Sequence, residues 1–242
     1  MLRALTYALL ILLLVWMARV GLGARSMQPA AMESVSQEGN VDLRPTSGGR
    51  SDRPNRDLVL RTIAESNTYL PVMLEESDSL LRRWQDRRER PLRVYFVPAD
   101  VQGFTAETDR AVREAFDRWV RVAAIPVTFR FVRNESDADV LVKWLTKFDM
   151  ERAGQAEVLW TSDGWLREGT LTLATHTHTG RPLSADAVFT VALHEVGHLL
   201  GLGHSDDPRD VMYPTTTVHD LTIRDRQTAR LLYALPAGTL KR

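Results

Sequence analysis

His194-Glu195-Val196-Gly197-His198-Leu199-Leu200-Gly201-Leu202-Gly203-His204 carries two histidines four residues apart, an acid beside the first and a third histidine after a glycine. On a helix, residues four apart project from one face, so His194 and His198 can grip one ion. Two neutral imidazoles bind Zn²⁺ at about 2.0–2.1 Å. Glu195 sits beside the first of them and reaches a metal-bound water without binding the metal itself. Gly201 ends the helix, because glycine takes the left-handed conformation at little cost and lets the chain turn back. That reversal brings His204 in as a third ligand from another direction. Three protein ligands and one water leave the open position of a catalytic zinc site. For the bare motif, a chance pattern or a partly buried histidine pair is the plain alternative. The extension through Gly201, His204 and Met212 argues against it.

His194-Glu195-x-x-His198-x-x-Gly201-x-x-His204 resembles the long zinc motif of the metzincin metalloproteases. Ser205 after the third histidine resembles the matrixin branch, peptidase family M10, here of bacterial type. Val211-Met212-Tyr213-Pro214 resembles the Met-turn, which places a methionine beneath the zinc. The likeness is clear over residues 185–233 and looser over 92–180. It implies an α+β, zincin-like catalytic domain: a twisted mixed β-sheet, a long helix, an active-site helix and a C-terminal helix. It implies one catalytic Zn²⁺ on His194, His198 and His204, and a zinc-bound water activated by Glu195. The expected reaction is hydrolysis of peptide bonds by an endopeptidase, with a protein or peptide substrate lying antiparallel along an edge strand. Asp225 matches an acidic position that holds the Met-turn by hydrogen bonds.

Two family features are missing. Animal matrixins add a structural zinc and calcium through a His-x-Asp pair and further histidines. No histidine lies between Asp139 and Thr175, so structural zinc and calcium are not expected. Pro214-Thr215-Thr216 lacks the aromatic of the matrixin Pro-x-Tyr, so a preference for large apolar side chains is not carried over. The main alternative is a catalytically inactive zinc-binding interaction module on a protease scaffold; intact Glu195 argues against it. A zinc hydrolase of another substrate class is a further alternative. The protease clan with a distant Glu as third ligand is disfavoured by His204.

The 242 residues suffice for one sizeable domain with attachments. Lys+Arg and Asp+Glu both total 31, so bulk charge favours neither nucleic acid nor a membrane surface. Cysteine is absent, which excludes disulfides, thiolate metal sites and the thiolate latency switch of many matrixins. Residues 4–18 are an apolar run between Arg3 and Arg19, short for a span and suited to a signal peptide. Gly21-Leu22-Gly23 offers small residues for cleavage before Ala24. Residues 1–24 are therefore expected to be a signal peptide or an N-terminal membrane anchor. Either places the zinc domain outside the cytoplasm, secreted or periplasmic, with membrane contact only through an uncleaved N-terminus. Oligomeric state is not legible.

Residues 25–56 are rich in Ser, Gly, Pro, Gln and Arg and read as a disordered linker. Residues 57–90 read as a helical N-terminal extension or short propeptide, with Leu80, Leu81 and Trp84 on one helix face and the arginines of 82–90 mostly solvated. Residues 91–242 form the catalytic domain. Leu92–Val97, Val127–Val132 and Asp139–Trp144 alternate as strands. Thr105 caps an amphipathic helix to Ala123. Glu157–Thr161 fits a short strand, and Leu171–His178 fits the peptide-binding edge strand. His176 and His178 share a face there, an incomplete metal site with exposed strand positions as the alternative. Ser184 or Ala185 opens the active-site helix, and Leu221 or Thr222 opens the last one. His219 reads as a surface residue.

Overall fold

The structure, a computed structural model, describes residues 56–77 and 79–240. The expected signal or anchor, and all but the last residue of the expected linker, lie outside the described residues. In chain order the elements are α1 (Arg56–Glu65), α2 (Leu70–Glu76), β1 (Leu80–Leu81), β2 (Arg87–Phe96), α3 (Ala106–Ala123), β3 (Val127–Phe131), β4 (Val140–Leu145), β5 (Gly154–Trp160), β6 (Leu166–Ala174), α4 (Ala185–Leu199), α5 (Ile223–Ala234) and β7 (Gly238–Thr239). A 3₁₀ turn, Glu135–Asp137, precedes β4. Among the described residues no helix is long and apolar enough to cross a membrane.

Five strands form one sheet in the order β3-β2-β4-β6-β5. The first four are parallel neighbours, and β5 runs antiparallel to β6 at the edge. Parallel strands need a crossover, and α3 supplies it between β2 and β3. Thr105 caps α3 reciprocally: its Oγ1 accepts from the Thr108 N–H at 3.2 Å, and Thr108 Oγ1 accepts from the Thr105 N–H at 3.1 Å. The helix buries Val112, Ala115, Phe116 and Trp119. Trp119 Nε1–H donates to the Leu193 carbonyl at 2.8 Å, which ties α3 to α4. α4 in turn packs on β5 and β6, so one helix layer covers one face of the sheet beside its antiparallel edge.

Three expectations change. First, β6 is flanked by β4 and β5, so Leu171–His178 is not an edge, and the edge strand on that side of the sheet is β5. The strand stops at Ala174, and its buried residues Leu171 and Leu173 face the core. Second, Leu80, Leu81 and Trp84 are not helical. Ser79 reverses the chain at φ +63°, Leu80–Leu81 pairs antiparallel with Gly238–Thr239, and Trp84 is fully buried. Its Nε1–H donates to the Leu199 carbonyl at 2.8 Å, a tertiary bond that outweighs the local helical pattern. The arginines there are only partly solvated: Arg82 stacks 3.9 Å from the Trp160 ring centroid and Arg83 lies 4.8 Å from that of Trp165. Third, β2 starts at Arg87, five residues early. A register shift between Arg87 and Leu92 accommodates Pro91, which has no N–H for a ladder.

Candidate metal centre

Ser184 starts α4 by accepting the Ala187 N–H on its Oγ at 3.2 Å. The helix carries His194, Glu195 and His198 and then stops at Gly201. There φ is +94°, the Leu202 N–H reaches the Gly197 carbonyl at 3.0 Å and the Gly201 N–H reaches that of His198 at 2.9 Å. A Cβ at Gly201 would overlap the Arg82 carbonyl oxygen. Gly201→Ala is therefore expected to cost about 2 kcal/mol or more in denaturant unfolding, from left-handed strain plus that overlap. An unchanged midpoint would contradict this account of the turn.

The reversal brings His204 to the helix. One ring nitrogen from each of His194, His198 and His204 lies within 4.8 Å of the others, the one such trio among the described residues. His194 Nδ1–H donates to the Val211 carbonyl and His198 Nδ1–H to that of Leu202, both at 2.8 Å. Those bonds leave both Nε2 atoms as bare acceptors, only 3.1 Å apart. Two lone pairs at that distance repel unless a cation lies between them. The spacing is close to the ~3.3 Å that Zn–N bonds of ~2.05 Å give in a tetrahedron. Burial disfavours protonation of all three rings, most at His198, whose pKa falls to about 3. The neutral imidazole is the ligating form, so the trio fits zinc.

Glu195 is buried beside the trio. Burial pushes its carboxyl up to about 7, against opposing help from the Ala156 N–H and the Arg152 charge. β5 comes this close because residue 154 has no side chain: a Cβ there would sit 2.7 Å from Glu195 Cγ and 2.9 Å from its Oε1. The acid thus lies against the edge strand of the sheet. Gly154 and Ala156 were not legible as site residues. Both lie before the Glu157–Thr161 strand pattern, and neither residue type marks a site.

Met212 is fully buried under the helix, and a Cβ at Gly197 would overlap its sulfur. The Ser205 N–H donates to the Met212 carbonyl at 2.8 Å. Asp225, expected to hold this turn, accepts the Val211 N–H at 3.0 Å and both the N–H and the hydroxyl of Thr222 at 2.9 Å. Tyr69 O–H adds a 3.3 Å bond from the residue that precedes α2. Asp210 and Arg224 carry no local sequence signal of a role here. They pair at 2.9 Å, and Ser205 Oγ–H donates to the same Asp210 oxygen at 2.5 Å, bracing the loop after His204. His176 and His178 do not join the trio. His176 is buried against Thr175 Oγ1 at 2.9 Å, and His178 is exposed past the strand's end. His219 is exposed, with Nδ1 2.5 Å from Thr190 Oγ1.

The matrixin peptidase model matches residues 83–234, which span this sheet, the trio and the Met-turn. The chain belongs to the matrixin family. Among its relatives, macrophage metalloelastase of Rattus norvegicus is 30% identical over 165 residues, covering 64% of this chain and 34% of the relative. Metalloendoproteinase 2-MMP of Arabidopsis thaliana is 30% identical over 171 residues, covering 62% and 43%. Matrix metalloproteinase-20 of Homo sapiens is 32% identical over 122 residues, covering 46% and 23%. This matrixin chain therefore matches less than half the length of each of these relatives. Matrixins are zinc enzymes, in keeping with the ion that the trio fits.

Proposed function

We propose that this matrixin is a zinc endopeptidase that hydrolyses internal bonds of proteins or peptides outside the cytoplasm. The observation that carries the reading is the placement of Glu195, beside three convergent imidazoles and against the edge strand β5. Zinc on His194, His198 and His204 would polarise the scissile carbonyl and make the attacking water acidic. Glu195 takes the water's proton and then gives it to the leaving amine. Burial raises its carboxyl above the usual carboxylate range, which helps it hold the proton that it passes to the amine. The Ala156 N–H and Arg152 favour the carboxylate, the form that starts the cycle. The carbonyls of Val211 and Leu202 keep the first two rings from turning. An extended peptide adds to β5 by backbone bonds, so recognition depends little on sequence at first contact.

The apolar run at residues 4–18 supports an extracytoplasmic location, with membrane contact only through that segment. Residues 57–90 are read as a retained extension, because Tyr69, Leu70, Met73 and Trp84 are buried in the same core as α4 and α5. The balanced charge supports no nucleic-acid partner. The test is cleavage of an unfolded protein before and after chelation. Activity is expected to vanish with a chelator and to return with one equivalent of zinc per chain. Activity that survives complete metal removal would overturn the proposal.

A further inference from the structure

Residues 146–153 join β4 to the edge strand, and Arg152 stands two residues before Gly154, which touches Glu195. Arg152 is exposed yet anchored. Its Nη1–H donates to Gln155 Oε1 at 3.0 Å, its Nη2 lies 2.7 Å from the Met150 sulfur, and its Cζ lies 5.8 Å from the Phe148 ring centroid. The exposed carboxylates nearest in sequence are Asp149, Glu151 and Glu157, and Arg152 forms an ion pair with none of them. It lies just before the end of β5 that faces Glu195. This is an exposed guanidinium beside the start of β5 that forms no ion pair with an acid among the described residues.

We propose that Arg152 selects substrates with an acidic side chain a few residues after the scissile bond. The inference rests on the endopeptidase reading and adds a substrate class to it. A peptide that joins the edge of β5 pairs best antiparallel. It then runs opposite to β5, so its chain beyond the cut passes Gly154 and heads toward Arg152. At about 3.3 Å per strand residue, the guanidinium faces roughly the second to fourth substrate residue after the cut. Gln155 and Phe148 already hold the side chain, which reduces the freedom lost when a carboxylate docks.

The experiment uses the zinc-loaded full chain and peptides that differ only in Asp, Ala or Lys at those three positions, with matched changes before the cut as controls. Asp is expected to exceed Lys in kcat/KM by about threefold or more at low salt, mostly through KM. Arg152→Glu is expected to reverse the order, and about 0.5 M salt to flatten it. No Asp–Lys difference after the cut, a difference only before the cut, or one that Arg152→Glu leaves in place would overturn the inference. Peptides left uncut by a chain holding one zinc would strike at the endopeptidase reading itself. Peptides cut without an Arg152-dependent charge preference would strike at this inference alone.

Discussion

Glu195→Gln is expected to lower kcat by about 10²–10⁴-fold while leaving zinc content unchanged, the usual weight of a positioned acid–base group. The substitution keeps the size and most of the packing of a side chain that is itself buried, and Gly154 still faces it without a Cβ. What it removes is the ability to accept a proton. The pH dependence follows from the same group. Below its pKa the carboxyl is neutral and cannot act as base, so kcat/KM rises with pH as Glu195 ionises. In the metal-free site burial sets that value at about 7. A bound dication favours the carboxylate, so the zinc-loaded limb is expected below 7. Matched wild-type and variant pH profiles at equal zinc occupancy check both points. A variant with wild-type kcat would remove Glu195 from the chemistry.

His204→Ala is expected to weaken zinc binding by more than about 100-fold in chelator competition, since losing even an outer-shell partner costs about 10–100-fold. His204 differs from the helical pair in how it is held. His194 and His198 are placed by α4, whereas His204 depends on the turn at Gly201 and on the loop braced by Ser205, Asp210 and Arg224. The variant should fold, because the residue is only partly buried and its ring takes no part in the core. Full zinc retention would mean that some other residue completes the site, and the third-ligand assignment would fall.

The metal trio was legible because local rules alone place it. Four-residue spacing, a glycine stop and a third histidine three residues later need no distant partner. The cap at Thr105 and the start of α4 at Ser184 were legible for the same reason, since each is a side chain meeting a backbone N–H three residues on. Asp225 was assigned through the family likeness, and its bond to the Val211 N–H has the expected form. The edge strand was not legible. Its identity is a matter of sheet order, and Leu171 to His178 alternates well enough to suit an edge or an interior position. β5 shows a mixed run, Gly154-Gln155-Ala156-Glu157-Val158-Leu159-Trp160, whose strand character depends on pairing with β6. Leu80, Leu81 and Trp84 misled for a related reason. Their spacing fits a helix face, but Gly238–Thr239 and the Leu199 carbonyl, more than 100 residues away in sequence, decide their conformation.

The most direct measurement is mass spectrometry of an unfolded protein incubated with the zinc-loaded chain in ¹⁸O-water. The endopeptidase account predicts new internal cleavage sites, with one heavy oxygen entering each new carboxyl terminus as the peptide bond is hydrolysed. An intact substrate, from a chain that holds one zinc on its three histidines, would contradict it and leave a binding module on a protease scaffold.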